Sequence, residues 1–106
     1  TDADVEKLAG LGLRLVCDFR SPTEKAEEPD RLPATNPPAV ADLAIGAESF
    51  MVKDLRERIG SGDLEGLDLR GMMIEGNRQF ATTFAPQYAA MFERILAPEN
   101  RPALVH

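Results

Sequence analysis

A chain of 106 residues supports one domain at most, and 43% hydrophobic with 28% charged residues is the composition of a globular fold rather than of a disordered segment. The formal net charge of −6 argues against a general nucleic-acid or anionic-membrane binder, which needs a basic face, but leaves room for one local basic pocket. A single cysteine excludes an intramolecular disulfide and is compatible with a reducing compartment, and no apolar run approaches the ~18 residues of a membrane span.

In chain order, Thr1 reads as a helix cap, with Asp2 and Asp4 at the positive end of the dipole. Val5, Leu8 and Ala9 form the apolar stripe, and Gly10 and Gly12 stop the helix. Gly10-Leu11-Gly12 precedes a strand rather than following one, so it is no dinucleotide fingerprint. Leu13 to about Phe19 is a near-continuous apolar run, the pattern of a parallel strand covered on both faces. Asp18, Arg20 and Ser21 arrive together at its C-terminal end, where open α/β sheets bind ligands.

Ser21-Pro22 starts a short helix that Pro29 ends. Its Glu24, Glu27 and Glu28 read as a solvated face. Pro33, Pro37 and Pro38 make an extended loop. Ala39 to Ile45 alternates like a second strand, closed by Gly46. Phe50, Met51, Leu55 and Ile59 form a helical stripe ending at Gly60-Ser61-Gly62. Asp63 to Leu96 is helical with expected interruptions at Gly66, Gly71, Gly76 and Pro86 and an apolar cluster at Leu67, Met72, Met73 and Ile74. The last helix starts at Pro86 and places Tyr88, Met91, Phe92, Ile95 and Leu96 on one face. A turn then leads to a strand entering at Ala103. Strands alternating with helices predict an α/β fold: a parallel sheet flanked by helices, with right-handed crossovers. Both ends read as cut, so the chain is expected to be the middle of a longer domain.

Cys17 is the first nucleophile to test. A cysteine-dependent phosphatase loop needs arginine six positions after the cysteine, and that position is Thr23. Cys17 also lies inside an apolar run, so it reads as structural. Asp18 and Arg20 alternate along one strand face, which fits a local ion pair and a site role equally, since arginine is the favoured bidentate phosphate binder. His106 is either one exposed residue or the start of a catalytic loop behind a strand. No metal-ligand cluster and no Gly-rich lysine loop occur in the sequence.

Cys17-Asp18-Phe19-Arg20-Ser21-Pro22-Thr23-Glu24, Asp30-Arg31-Leu32-Pro33, Tyr88-Ala89-Ala90-Met91-Phe92 and Arg101-Pro102-Ala103-Leu104-Val105-His106 together resemble a bacterial family. It is the tyrosine and dual-specificity phosphatase family of the mycobacterial secreted phosphatase B type. The likeness is strongest over residues 1–33 and 86–106 and weak between 46 and 80. It implies a phosphotyrosine-phosphatase-like fold, incomplete here, with residues 1–106 forming the N-terminal and central part of one phosphatase domain. The family's last strand leads into His-Cys-x-x-Gly-Lys-Asp-Arg-Thr-Gly, so His106 would stand directly before a nucleophilic cysteine that lies outside the chain. Asp18, Arg20 and Ser21 would support the phosphate site. The resemblance implies no cofactor and no metal, and a phosphorylated protein or phosphoinositide as substrate. A cytoplasmic location is expected, with secretion left open.

Two departures stand out. The loop after the second strand often carries an aspartate acting as general acid, and here Glu48 occupies that region. Asn77-Arg78 replaces a more usual Tyr-Arg. The first strand, with Val16-Cys17-Asp18-Phe19-Arg20 and Glu24, also resembles rhodanese-like sulfurtransferases, but Glu27 to Arg31 does not continue their motif. A non-catalytic phosphate-binding pseudophosphatase is the alternative of another class.

Overall fold

The structure, a computed structural model, describes residues 1–46 and 50–106; residues 50–54 and 56 are described for their backbone alone. The elements run α1 (Asp2–Gly10), β1 (Leu15–Asp18), α2 (Pro22–Glu27), β2 (Ala39–Asp42), α3 (Phe50–Ser61), α4 (Leu69–Ala81), α5 (Ala85–Leu96), one 3₁₀ turn (Pro98–Asn100) and β3 (Ala103–Val105). The strands form a parallel sheet of order β2-β1-β3. The expected α/β architecture is present, with β1 at the centre of the sheet.

Local chemistry sets the element ends. The Thr1 hydroxyl accepts from the Asp4 amide at 3.3 Å and the Thr1 amino group donates to the Asp4 carboxylate at 3.1 Å, closing a capping box on α1. After α1 the chain turns at Gly12, whose φ of +62° is open to glycine and strained for other residues. The strands are shorter than the expected Leu13–Phe19 and Ala39–Ile45. Ladder-type bonds nevertheless continue past them, from Arg14 N to Pro102 O (2.9 Å) and from Ile45 N to Phe19 O (2.8 Å). The difference is the ordinary fraying of element ends.

All four residues of β1 are buried. On one face Leu15 and Cys17 join Ala41 and Leu43 in the core, with Phe19, Ala90, Met91, Ile95 and Ala103 packed against them. Phe19 also stacks on Tyr88, ring centroids 5.3 Å apart. Thus α5 is the helix that covers this face. Phe92 and Leu96, expected on its buried side, are solvent-facing: each lies one residue past a core-packed one, Met91 and Ile95, and is thereby turned about 100° around the helix.

Two expectations about α4 need correction. Gly71 and Gly76 do not interrupt the helix but lie inside it. The Asp68 carboxylate caps it by accepting from the Gly71 amide at 2.8 Å, and each interior glycine costs a helix only about 1 kcal/mol. Met73 and Ile74 do not enter a core either, since α4 buries no residue. The radius of gyration, 17.1 Å, exceeds the roughly 13 Å of a compact chain of this length. Packing is concentrated in the sheet and α5.

Val16 and Val40 are register partners, yet Val16 is 1% exposed and Val40 53%. Val16→Ala should therefore cost about 2 kcal/mol and Val40→Ala less than about 1 kcal/mol, read as the difference in urea unfolding free energy.

Candidate functional site

The carboxyl end of β1 carries a buried charge. The Asp18 side chain is 3% exposed. Its Oδ1 accepts from the Arg20 main-chain N–H (2.9 Å) and from Arg20 Nε (3.0 Å), and its Oδ2 accepts from Nη2 (2.9 Å). A planar guanidinium meets a carboxylate in this two-point way because the fork and the two oxygens have matching spacing. These Arg20 bonds hold the Asp18 carboxyl below the usual carboxylate range against the opposing effect of burial.

Arg20 reaches further. Nη1 donates to the Glu28 carbonyl at 2.8 Å, and Nη2 lies 2.9 Å from Asp30 Oδ2. One guanidinium therefore binds the strand end and folds the segment after α2 back over it. Ser21 is engaged as well. Its hydroxyl accepts from the Glu24 amide (3.3 Å) and donates to the Glu24 carboxylate (2.7 Å), which also accepts from the Ser21 N–H at 2.9 Å. Glu24 is thus a capping residue of α2 rather than only a solvated one.

His106 meets the same cluster from β3. Its N–H donates to Cys17 O (3.1 Å) and its carbonyl accepts from the Phe19 N–H (2.8 Å), so the ladder sets it beside Asp18. Nε2 lies 3.4 Å from Asp30 Oδ2 and 3.9 Å from Asp18 Oδ1. The structure thus brings Asp18, Arg20 and His106 together, with Ser21 adjoining. It adds Asp30, which the sequence showed only as part of a family-like stretch. Glu48 lies outside the described residues.

Cys17 is fully buried, and burial pushes its thiol above the ordinary value, both of which disfavour a reactive thiolate. Arg78 is exposed on α4 and bound to Glu75 by two bonds of 2.8 Å, which lower the Glu75 carboxyl to about 2. Asp18, Asp30 and His106 each place a donor atom within 4.8 Å of the others, a spacing that can hold a metal. Both carboxylates already bond Arg20, so a cation would compete with the guanidinium there. A cleft lined by Leu8, Arg14, Pro33 and Asn36 lies at the opposite, amino end of β1.

Arg20→Leu leaves the buried Asp18 carboxylate without its guanidinium, held only by the main-chain N–H of residue 20, and should cost about 3 kcal/mol. The pH dependence carries a sign. In the wild-type chain the folded-state value is lowered, so this stabilisation is complete above 3.8 and drains as pH falls through the lowered value. Without Arg20 burial opposes ionisation, and protonation relieves the variant. Its deficit against wild type should therefore narrow between about pH 6 and about pH 3 in urea titrations.

Comparison with known proteins places the sequence in a family. Residues 1–106 match the tyrosine phosphatase family. A tyrosine-protein phosphatase of Nostoc commune is 30% identical over 116 aligned residues, an alignment that covers 100% of this chain and 33% of that protein. The chain thus spans about a third of the length of the curated relative it matches. No solved structure matches it. With the match running from its first residue to its last, the chain belongs to the tyrosine phosphatase family.

Proposed function

We propose that residues 1–106 are the N-terminal and central part of a phosphatase domain that hydrolyses phosphomonoesters through a phosphocysteine. The observation that carries this reading is the position of His106. It is laced into the sheet beside Asp18 at the carboxyl end of β3, the edge where α/β sheets bind ligands. In the family a cysteine follows the equivalent histidine. The thiolate would attack phosphorus, expel the alcohol or phenol and form the phosphocysteine, which water then hydrolyses. Backbone N–H groups and an arginine of the loop after His106 would hold the equatorial oxygens, and their positive field would favour the thiolate.

Asp18, Arg20 and Ser21 then support that loop from behind. Their polar groups are bonded to protein partners, so the charge that binds substrate would come from the loop itself. The general acid is assigned to the aspartate of the family's loop, with Glu48 as the alternative inside this chain. Phosphotyrosine is the first substrate to test, with phosphoserine, phosphothreonine and phosphoinositide as the wider range.

The residue after His106 should be cysteine, and full-length protein should hydrolyse p-nitrophenyl phosphate while transferring no sulfur from thiosulfate. Any other residue there, or sulfur transfer without hydrolysis, would overturn the reading. Cys17→Ala should keep kcat within about twofold and lower the unfolding free energy by about 1 kcal/mol, since it removes buried volume and no reacting atom.

A further inference from the structure

The cluster at the strand ends holds one carboxylate with a task still open. Asp18 is committed: both its oxygens bond Arg20, and its closer oxygen is 3.9 Å from the imidazole. Asp30 differs. A single oxygen, Oδ2, stands 2.9 Å from Arg20 Nη2 and 3.4 Å from His106 Nε2, and its side chain is 29% exposed. The ladder bonds fix the His106 backbone but leave the imidazole free to rotate about its side-chain torsions. What faces the ring is then the two carboxylates, Asp18 from β1 and Asp30 from the segment after α2, with the Arg20 guanidinium binding both.

We propose that Asp30 is a positioning residue for the catalytic loop: anchored by Arg20, its carboxylate orients the His106 imidazole at the point where the chain leaves β3 for that loop. The inference rests on the phosphatase reading above. It assigns the long return from β1 through α2 a purpose, because that return carries Asp30 back to the strand end. Asp30 is not a catalytic residue in this scheme. It acts through His106, and the loss of its charge should reach the reacting atoms as a misplaced loop rather than as a missing proton donor.

The test uses full-length protein, with p-nitrophenyl phosphate as substrate and thermal unfolding measured alongside. Asp30→Asn should lower kcat about tenfold and leave KM within about twofold, because the bound substrate still meets its loop but in a poorer attack geometry. Asp30→Glu, which restores the carboxylate, should regain most of the loss. Asp2→Asn, which removes the surface partner of Arg31, should change neither constant. Wild-type kcat and KM in Asp30→Asn overturn the inference and leave the phosphatase reading standing. A kcat loss that Asp30→Glu does not relieve, or that comes with an equal rise in KM and a lowered melting temperature, also overturns it, in favour of a scaffold role. Absence of hydrolysis by the wild-type protein overturns the phosphatase reading itself, and the inference with it.

Discussion

The arrangement of this chain depends on one ion pair, between the buried carboxylate of Asp18 and the guanidinium of Arg20 two residues on. An unpaired charge at the end of a covered strand would be costly to remove from water. Arg20 answers with three N–H bonds to Asp18, one of them from its own backbone. A buried pair of this kind adds little net stability compared with an apolar pair, because desolvation consumes most of the attraction. Its value is positional. The pair turns the chain sharply at the carboxyl edge of β1, and its remaining donors hold the Glu28 carbonyl and Asp30. The strand end, the return from α2 and the neighbouring β3 are thereby tied to one point.

The same point explains why the site is incomplete in charge. An anion site needs donors aimed into open space. Here the Ser21 hydroxyl and N–H are taken by Glu24, and the Arg20 fork by Asp18. The first turn of α2 is closed by its own capping box, and two carboxylates flank the imidazole. An approaching phosphate would meet two carboxylates, Asp18 and Asp30, against the one Arg20 guanidinium. The region is suited to holding a loop in place and poorly suited to holding a dianion, which agrees with a division of labour in which the loop binds and these residues brace it.

How much of this could be read from sequence follows the range of the interactions. The cap at Thr1, the helix start at Ser21-Pro22, the turn at Gly12 and the burial of β1 each depend on a few adjacent residues, and all were legible. So was the α/β order, since the period of hydrophobic residues changes from helix to strand. Asp30 was not singled out, because its partners lie ten residues back at Arg20 and at the far end of the chain at His106. Nothing in its neighbours Pro29 and Arg31 marks it. Gly71 and Gly76 misled for the opposite reason. Local propensity argues against helix there, and the Asp68 cap with the flanking helix formers outweighs it. Ser21 sits between the two cases: the helix start behind it was legible from Pro22, but its bonds with Glu24, which read as a solvated residue, were not, and they already engage the hydroxyl assigned to the site.

Cys17 shows why position in the sheet, rather than residue type, decides reactivity. It lies on β1, and the strand hydrogen-bonded to it, β3, is the one that leads toward the expected nucleophile. Cys17 is surrounded by Leu15, Ala41, Leu43 and the covering residues of α5, an environment that disfavours the thiolate and admits no substrate. The spacing that disqualified Cys17 and the apolar run that buries it are consequences of the same fact: the centre of a parallel sheet is built to exclude water, and the chemistry is left to its edge.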